Sequence, residues 1–215
     1  MPRKPSQNWA LNAYIAAICA SAAALLYWLA TPLLDHELHV AVVPVTALAL
    51  VLVLGELRPI RISHGDGSVD EVTISSSFSL ALVLLGPLFV AVVAQAVATL
   101  LDDVRQRKDW RRIAFNLSQY TITLTVSRAA YAFLSGRSML QDPARLHASD
   151  IAAGIAAAAV FFVSNHVITT CAVALSLGED PVRRLPVDLR YHLSTSGVLL
   201  ALAPVLVVAV DFSVV

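Results

Sequence analysis

Apolar residues in this chain are gathered into long blocks, at 9–30, 40–57, 75–101, 113–134, 151–177 and 194–215. A helix rises about 1.5 Å per residue, so roughly 20 apolar residues cross a hydrocarbon core about 30 Å thick. Blocks of that order, repeated along the chain, predict an all-α polytopic membrane protein. Trp9 opens the first block and Tyr27-Trp28 closes it, the positions that interfacial aromatics occupy. The block is also longer than the apolar core of a cleavable signal peptide, so it reads as a retained helix.

Two stretches depart from the pattern. Over residues 58–74, Ile60 and Ile62, then Val72 and Ile74, alternate around Gly65-Asp66-Gly67, which predicts a small β-hairpin at the membrane surface. Within 75–101, Gly86-Pro87 interrupts the apolar run, and proline is at home in a first helical turn. The run is then either one kinked crossing or two passes, 75–85 and 87–102. Eleven residues reach only about 16 Å, so the first pass is short or re-entrant.

Charge separates these alternatives. Lys and Arg total 15, Asp and Glu total 15, and the net charge is zero, so no whole-chain attraction to nucleic acid follows. The placement of the cations is informative. With two passes and a cytoplasmic N-terminus, the inner loops hold Arg3, Lys4, Arg58, Arg61, Arg105, Arg107, Lys108, Arg111, Arg112, Arg183, Arg184 and Arg190. The outer loops hold Arg137 and Arg145, and Arg128 lies inside a segment. A single crossing would put the dense cluster at 105–112 outside. The positive-inside tendency therefore selects seven membrane segments, N-terminus in and C-terminus out. Composition agrees: 58% of residues are apolar and 14% charged, against about 25% charged in soluble domains.

Several motifs dissolve on inspection. Cys19 and Cys171 sit in apolar runs without metal or redox spacing and read as small hydrophobes. His36-Glu37-Leu38-His39 places its histidines at i and i+3, not the i and i+4 of a zinc-protease helix. Asp102-Asp103 is not extended by a third acid, since Gln106 occupies that position, so metal–diphosphate chemistry is unsupported. Asp66-Gly-Ser-Val-Asp70 lacks the turn glycine of a calcium loop. The basic run at 105–112 is explained by topology alone. No G-x-S-x-G, Walker loop or G-x-G-x-x-G is present. No enzyme, metal or cofactor is predicted.

Polar residues at bilayer depth are expensive, face the bundle interior and often mark pathways. In 113–134, Asn116, Gln119, Tyr120, Thr123 and Ser127 recur every three or four residues and form one stripe. Ala91, Gln95, Ala98 and Asp102 form a small-and-polar stripe on the preceding helix, and Ser164-Asn165-His166 a patch in 151–177. The candidate ligand-binding residues are therefore Gln95, Asn116, Gln119, Tyr120, Thr123, Asn165 and His166. Interhelical hydrogen bonding is the plainer account of the same residues. Arg128, off the Asn116 stripe and about a turn and a half from the outer end, is expected to snorkel.

Taken in order, Glu56-Leu-Arg-Pro59, Val72-Thr-Ile-Ser-Ser-Ser-Phe78, Gly86-Pro87, Asp102-Asp103 and Phe115-Asn-Leu-Ser-Gln119 form a familiar series. It resembles the N-terminal multi-pass membrane sensor regions of bacterial cyclic-di-GMP signalling proteins, those that precede GGDEF, EAL or HD-GYP domains. The resemblance spans about residues 40–175, and none of those output sequences occurs here. It implies a sensory input region in the bacterial inner membrane, with an unknown small or membrane-soluble ligand, the lipid bilayer and a second copy of the chain as partners. The alternatives are a solute-binding subunit of an uptake system and a non-catalytic structural membrane protein. On the sensor reading, residues 1–215 are a single membrane domain at the front of a longer protein. An eighth helix would follow the Val-Asp-Phe-Ser-Val-Val end and lead to a cytosolic output domain.

Overall fold

The computed structural model describes residues 5–31, 42–63, 69–72, 74–140 and 150–193. The loop holding His36 to His39, the Gly-Asp-Gly turn and the segment 194–215 lie outside them. Among the described residues the chain is all-α apart from one short strand pair. Its helices are α1 (Pro5–Leu29), α2 (Val42–Leu57), α3 (Ser75–Leu85), α4 (Leu88–Arg105), α5 (Trp110–Ser135), α6 (Ile151–Leu177) and α7 (Pro181–His192). Strands β1 (Ile60–Ser63) and β2 (Val69–Val72) pair antiparallel, with Ile60 opposite Val72.

The helix boundaries follow local chemistry. Asp109 starts α5 by accepting hydrogen bonds from the backbone N–H groups of Arg111 and Arg112 at 3.0 and 3.2 Å. Gly136 ends α5 at φ 69° and Gly178 ends α6 at φ 75°, left-handed positions where glycine avoids the steric penalty of a Cβ. Gly86-Pro87 breaks the third apolar run into α3 and α4. Ser79 lies about as far before the break as Gln95 lies after it, and the two are hydrogen-bonded, so α3 and α4 fold back on one another.

The core is built around the shortest of the apolar helices. Leu80, Ala81, Leu82, Val83 and Leu84 of α3 are all fully buried, as a helix that is hydrophobic all round must be. They join Leu52 of α2, Leu88 of α4, Leu124 of α5 and Phe161 of α6 in one cluster. Helix α1 packs along α5 and α6 at the edge, leaving Trp9 and Tyr27 exposed. Two described helices are long and apolar enough to cross a membrane, over Trp9–Leu29 in α1 and Ile151–Leu177 in α6, while α2 and α3 are apolar but shorter.

Two expectations need correction. The polar stretch 178–193, read as a loop, contains α7. Asp180 accepts from the Val182 N–H at 2.9 Å and Pro181 occupies the first turn, so a capped helix forms in a segment whose polarity masked it. Helix α7 then packs back along α6: the Thr170 hydroxyl donates to Asp188 at 3.1 Å, and the His166 and His192 rings lie 4.8 Å apart. Arg128 does not snorkel to solvent. It is fully buried and donates to the backbone carbonyls of Val83, Ser138 and Met139.

Candidate functional site

Charged groups collect at the end of the bundle where α4 hands over to α5. Gly55 lets α2 approach α3 closely, since a Cβ there would lie 3.1 Å from Cγ1 of Ile74. The approach allows the Ser75 hydroxyl to donate to the Glu56 carboxylate. Asp102 accepts from Arg105 at 2.7 Å and from Gln106 at 2.6 Å, and Arg105 also donates to the Leu57 carbonyl at 2.7 Å, tying α4 to α2. Asp103 accepts from Lys108 at 2.6 Å and from Asn116 at 2.8 Å, tying α4 to α5. Glu56, Asp102 and Asp103 are all buried. Buried carboxylates persist only when paired or hydrogen-bonded, and each of these has such a partner. Among the described residues no group of three His, Cys, Asp or Glu side chains is placed to hold a metal ion.

The turn between these helices is tight. Arg107 adopts φ 55°, a left-handed conformation that disfavours side-chain-bearing residues. The Lys108 N–H closes the turn on the Asp103 carbonyl at 3.0 Å.

Uncharged polar residues link the helices further along. Gln95 of α4 accepts from Ser79 of α3 and donates to Thr99 at 2.9 Å. Gln119 of α5 donates to Asn165 of α6. On the same face of α5, the Ser127 hydroxyl donates to the Ala157 carbonyl at 2.9 Å. The Tyr14 hydroxyl of α1 donates to the Ile168 carbonyl at 3.0 Å. The Thr123 hydroxyl, one turn from Gln119, is fully buried and has no hydrogen-bond partner. Buried polar atoms are almost always satisfied, so an orphan of this kind marks strain or a place for a bound group.

The candidate residues are thus spread over five settings, not gathered in one chamber. Gln95 belongs to the α3–α4 contact, and Asn116 to the buried carboxylates. Gln119 and Asn165 meet between α5 and α6, with Thr123 one turn from Gln119 on α5, while Tyr120 packs half-buried against the hydrophobic core. His166 faces His192 of α7, while its Nδ1 lies 2.8 Å from the Phe162 carbonyl and its ring lies tilted against that of Phe162, centroids 4.2 Å apart. Residue patterning did not single out Glu56, Asp103, Lys108 or Arg128 as members of a polar site. Two adjacent acids closing an apolar helix beside a basic run were the available signal.

One open groove of about 520 Å³ lies between α1, the start of α5 and the end of α6. Asn116 is the single candidate residue on its wall, with Lys108, Arg111 and Arg112 beside it. On the adjacent α7, Arg184 donates to Glu179 at 2.5 Å and to Asp188 at 3.2 Å. The Glu179 hydrogen bond pushes the guanidinium pKa above its ordinary value.

Compared with known protein families, with characterised proteins and with solved structures, the chain shows no match.

Proposed function

We propose that the chain is the membrane-embedded sensory input region of a bacterial signalling protein. In this reading about seven segments cross or enter the inner membrane, with the N-terminus and the α4–α5 turn in the cytoplasm and a surface hairpin at 58–74. The sensing element is the polar seam between α5 and α6, where a small or membrane-soluble ligand binds. The supporting observation is the pairing of Gln119 with Asn165 one turn from the orphaned Thr123 hydroxyl. A ligand carrying a hydroxyl or carbonyl would satisfy Thr123 and compete for the Gln119–Asn165 bond. Bond exchange of this kind changes how two packed helices meet, and a ligand can shift a conformational equilibrium only through such differential contacts. The chain supplies input in this reading and no catalysis of its own.

Two experiments test it. Fusions of a reporter active only in the cytoplasm are expected to work after Lys108 and Arg184 and to fail after Pro143; activity at Pro143 would overturn the seven-segment arrangement. In the native gene product, Gln119→Leu is expected to abolish the stimulus response of the output while leaving expression and melting temperature near those of the parent. A normal response in a normally folded Gln119→Leu protein would remove the seam as the sensing site.

A further inference from the structure

The groove between α1, α5 and α6 has a chemistry unlike that of the seam. Its mouth is basic: Arg111 and Arg112 are exposed, and Lys108 is half-buried. Its wall is apolar, with Leu11 and Ile15 from α1, Phe115 from α5 and Val173 from α6. Asn12 and Ser176 add hydrogen-bonding groups along the rim. One acid, Asp109, shares the mouth, but it already accepts the Arg111 and Arg112 backbone N–H groups and faces the Arg112 guanidinium at 3.4 Å. Lys108 is likewise held by Asp103 at 2.6 Å. Arg111 lies over the Trp110 ring, 5.8 Å from its centroid, so its cation retains capacity for an anion.

Two exposed tryptophans bracket this region. Trp9, near the start of α1, and Trp110, at the start of α5, are each 74% exposed. Tryptophans in that state concentrate at headgroup depth. A basic mouth at headgroup depth above an apolar wall matches a molecule with a phosphate at one end and hydrocarbon at the other. Basic pockets between membrane helices on the cytoplasmic side hold anionic lipid headgroups on this principle.

We infer that the groove binds an anionic phospholipid, its phosphate on Arg111 and Arg112 and its acyl chain along Leu11, Ile15 and Val173. Lys108 and Asn116 close the inner side of the headgroup site. Binding there would join α1 to the α5–α6 pair and anchor the α4–α5 turn at the membrane surface. The inference rests on the membrane reading of the chain with the α4–α5 turn in the cytoplasm, and not on the sensing role of the seam.

The test is lipid retention by the purified full-length chain, read by native mass spectrometry after incubation with dioleoylphosphatidylglycerol or dioleoylphosphatidylcholine. The parent is expected to keep the anionic lipid preferentially. Each cation at a membrane surface is worth roughly fivefold in affinity. With Asp109 partly offsetting Arg112, Arg111→Gln with Arg112→Gln is expected to weaken retention about tenfold. Arg183→Gln with Arg190→Gln removes equal charge from α7, outside the groove, and is expected to change little. Equal retention of both lipids, or equal losses from the two double variants, would overturn the site in favour of general surface attraction. Inorganic phosphate at millimolar concentration is expected to displace little lipid; full displacement would replace the lipid with a soluble phosphate ligand and overturn the acyl assignment. The seam-based response does not enter this assay, so failure here leaves the sensor reading standing.

Discussion

Replacing Arg128 should expose a dependency created by Pro87. An α-helical carbonyl is ordinarily satisfied by the N–H four residues on, and for Val83 that residue is Pro87, which has none. The orphaned carbonyl is supplied instead by Nη1 of Arg128, at 2.8 Å, while Nη2 and Nε serve Ser138 at 3.1 Å and Met139 at 3.2 Å. One side chain therefore caps the end of α3 and holds the segment after α5. A charge-assisted hydrogen bond nets about 1.5–3 kcal/mol in soluble proteins, and interhelical bonds in a membrane average about 0.6 kcal/mol. Three bonds bracket the loss from Arg128→Met at roughly 2–9 kcal/mol, and removal of a buried charge returns part of its desolvation penalty. We expect about 3 kcal/mol. Arg128→Lys should recover little of this, because a single ammonium cannot reach three carbonyls in the directions a guanidinium fork does. Unfolding by denaturing detergent, followed by tryptophan fluorescence, measures both. If Arg128→Met stays within about 0.5 kcal/mol of the parent, or if Arg128→Lys is as stable as the parent, the capping argument is wrong.

Gly55→Val places methyl groups against Ile74, where a Cβ alone would stand at 3.1 Å, and should lower stability by about 2 kcal/mol in the same assay. Arg107→Gly relieves the left-handed backbone at φ 55° and, after the added flexibility of the unfolded chain, should raise stability by about 0.5 kcal/mol; a loss would show that the Arg107 side chain contributes more than its strain removes. Thr123→Val removes the unpartnered hydroxyl at nearly constant volume and should leave the melting temperature equal to or above that of the parent, by up to about 1 kcal/mol in stability. A clear decrease would mean that a buried water or ligand normally satisfies that oxygen.

The helical class and the break at Gly86-Pro87 were legible because both depend on residues close together in sequence. Hydropathy over about twenty residues separates apolar helices from loops, and proline cannot continue the hydrogen-bond ladder that precedes it. The inward stripe of α4 was equally local: Ala91, Gln95, Ala98 and Asp102 recur at helical spacing, and all four are buried. The same reliance on hydropathy hid α7, whose cap at Asp180 and proline at its first turn are helix-start signals within a polar stretch.

Periodicity placed Asn116, Gln119 and Thr123 on one helical face, yet the structure gives each a different circumstance. Asn116 meets Asp103 across the α4–α5 turn, Gln119 meets Asn165 on α6, and Thr123 meets no polar partner. Arg128 has a similar history: its sequence position fits a side chain reaching toward water, but the end of α3 at Pro87 draws it inward to Val83. By itself, the sequence determined the apolar helices among the described residues, the break at Gly86-Pro87 and the buried face of α4, since those properties arise within a turn or two of chain. Tertiary structure alone decided which polar group meets which, because partners depend on the axial offset and rotation of whole helices, set by the packing of the entire bundle around α3.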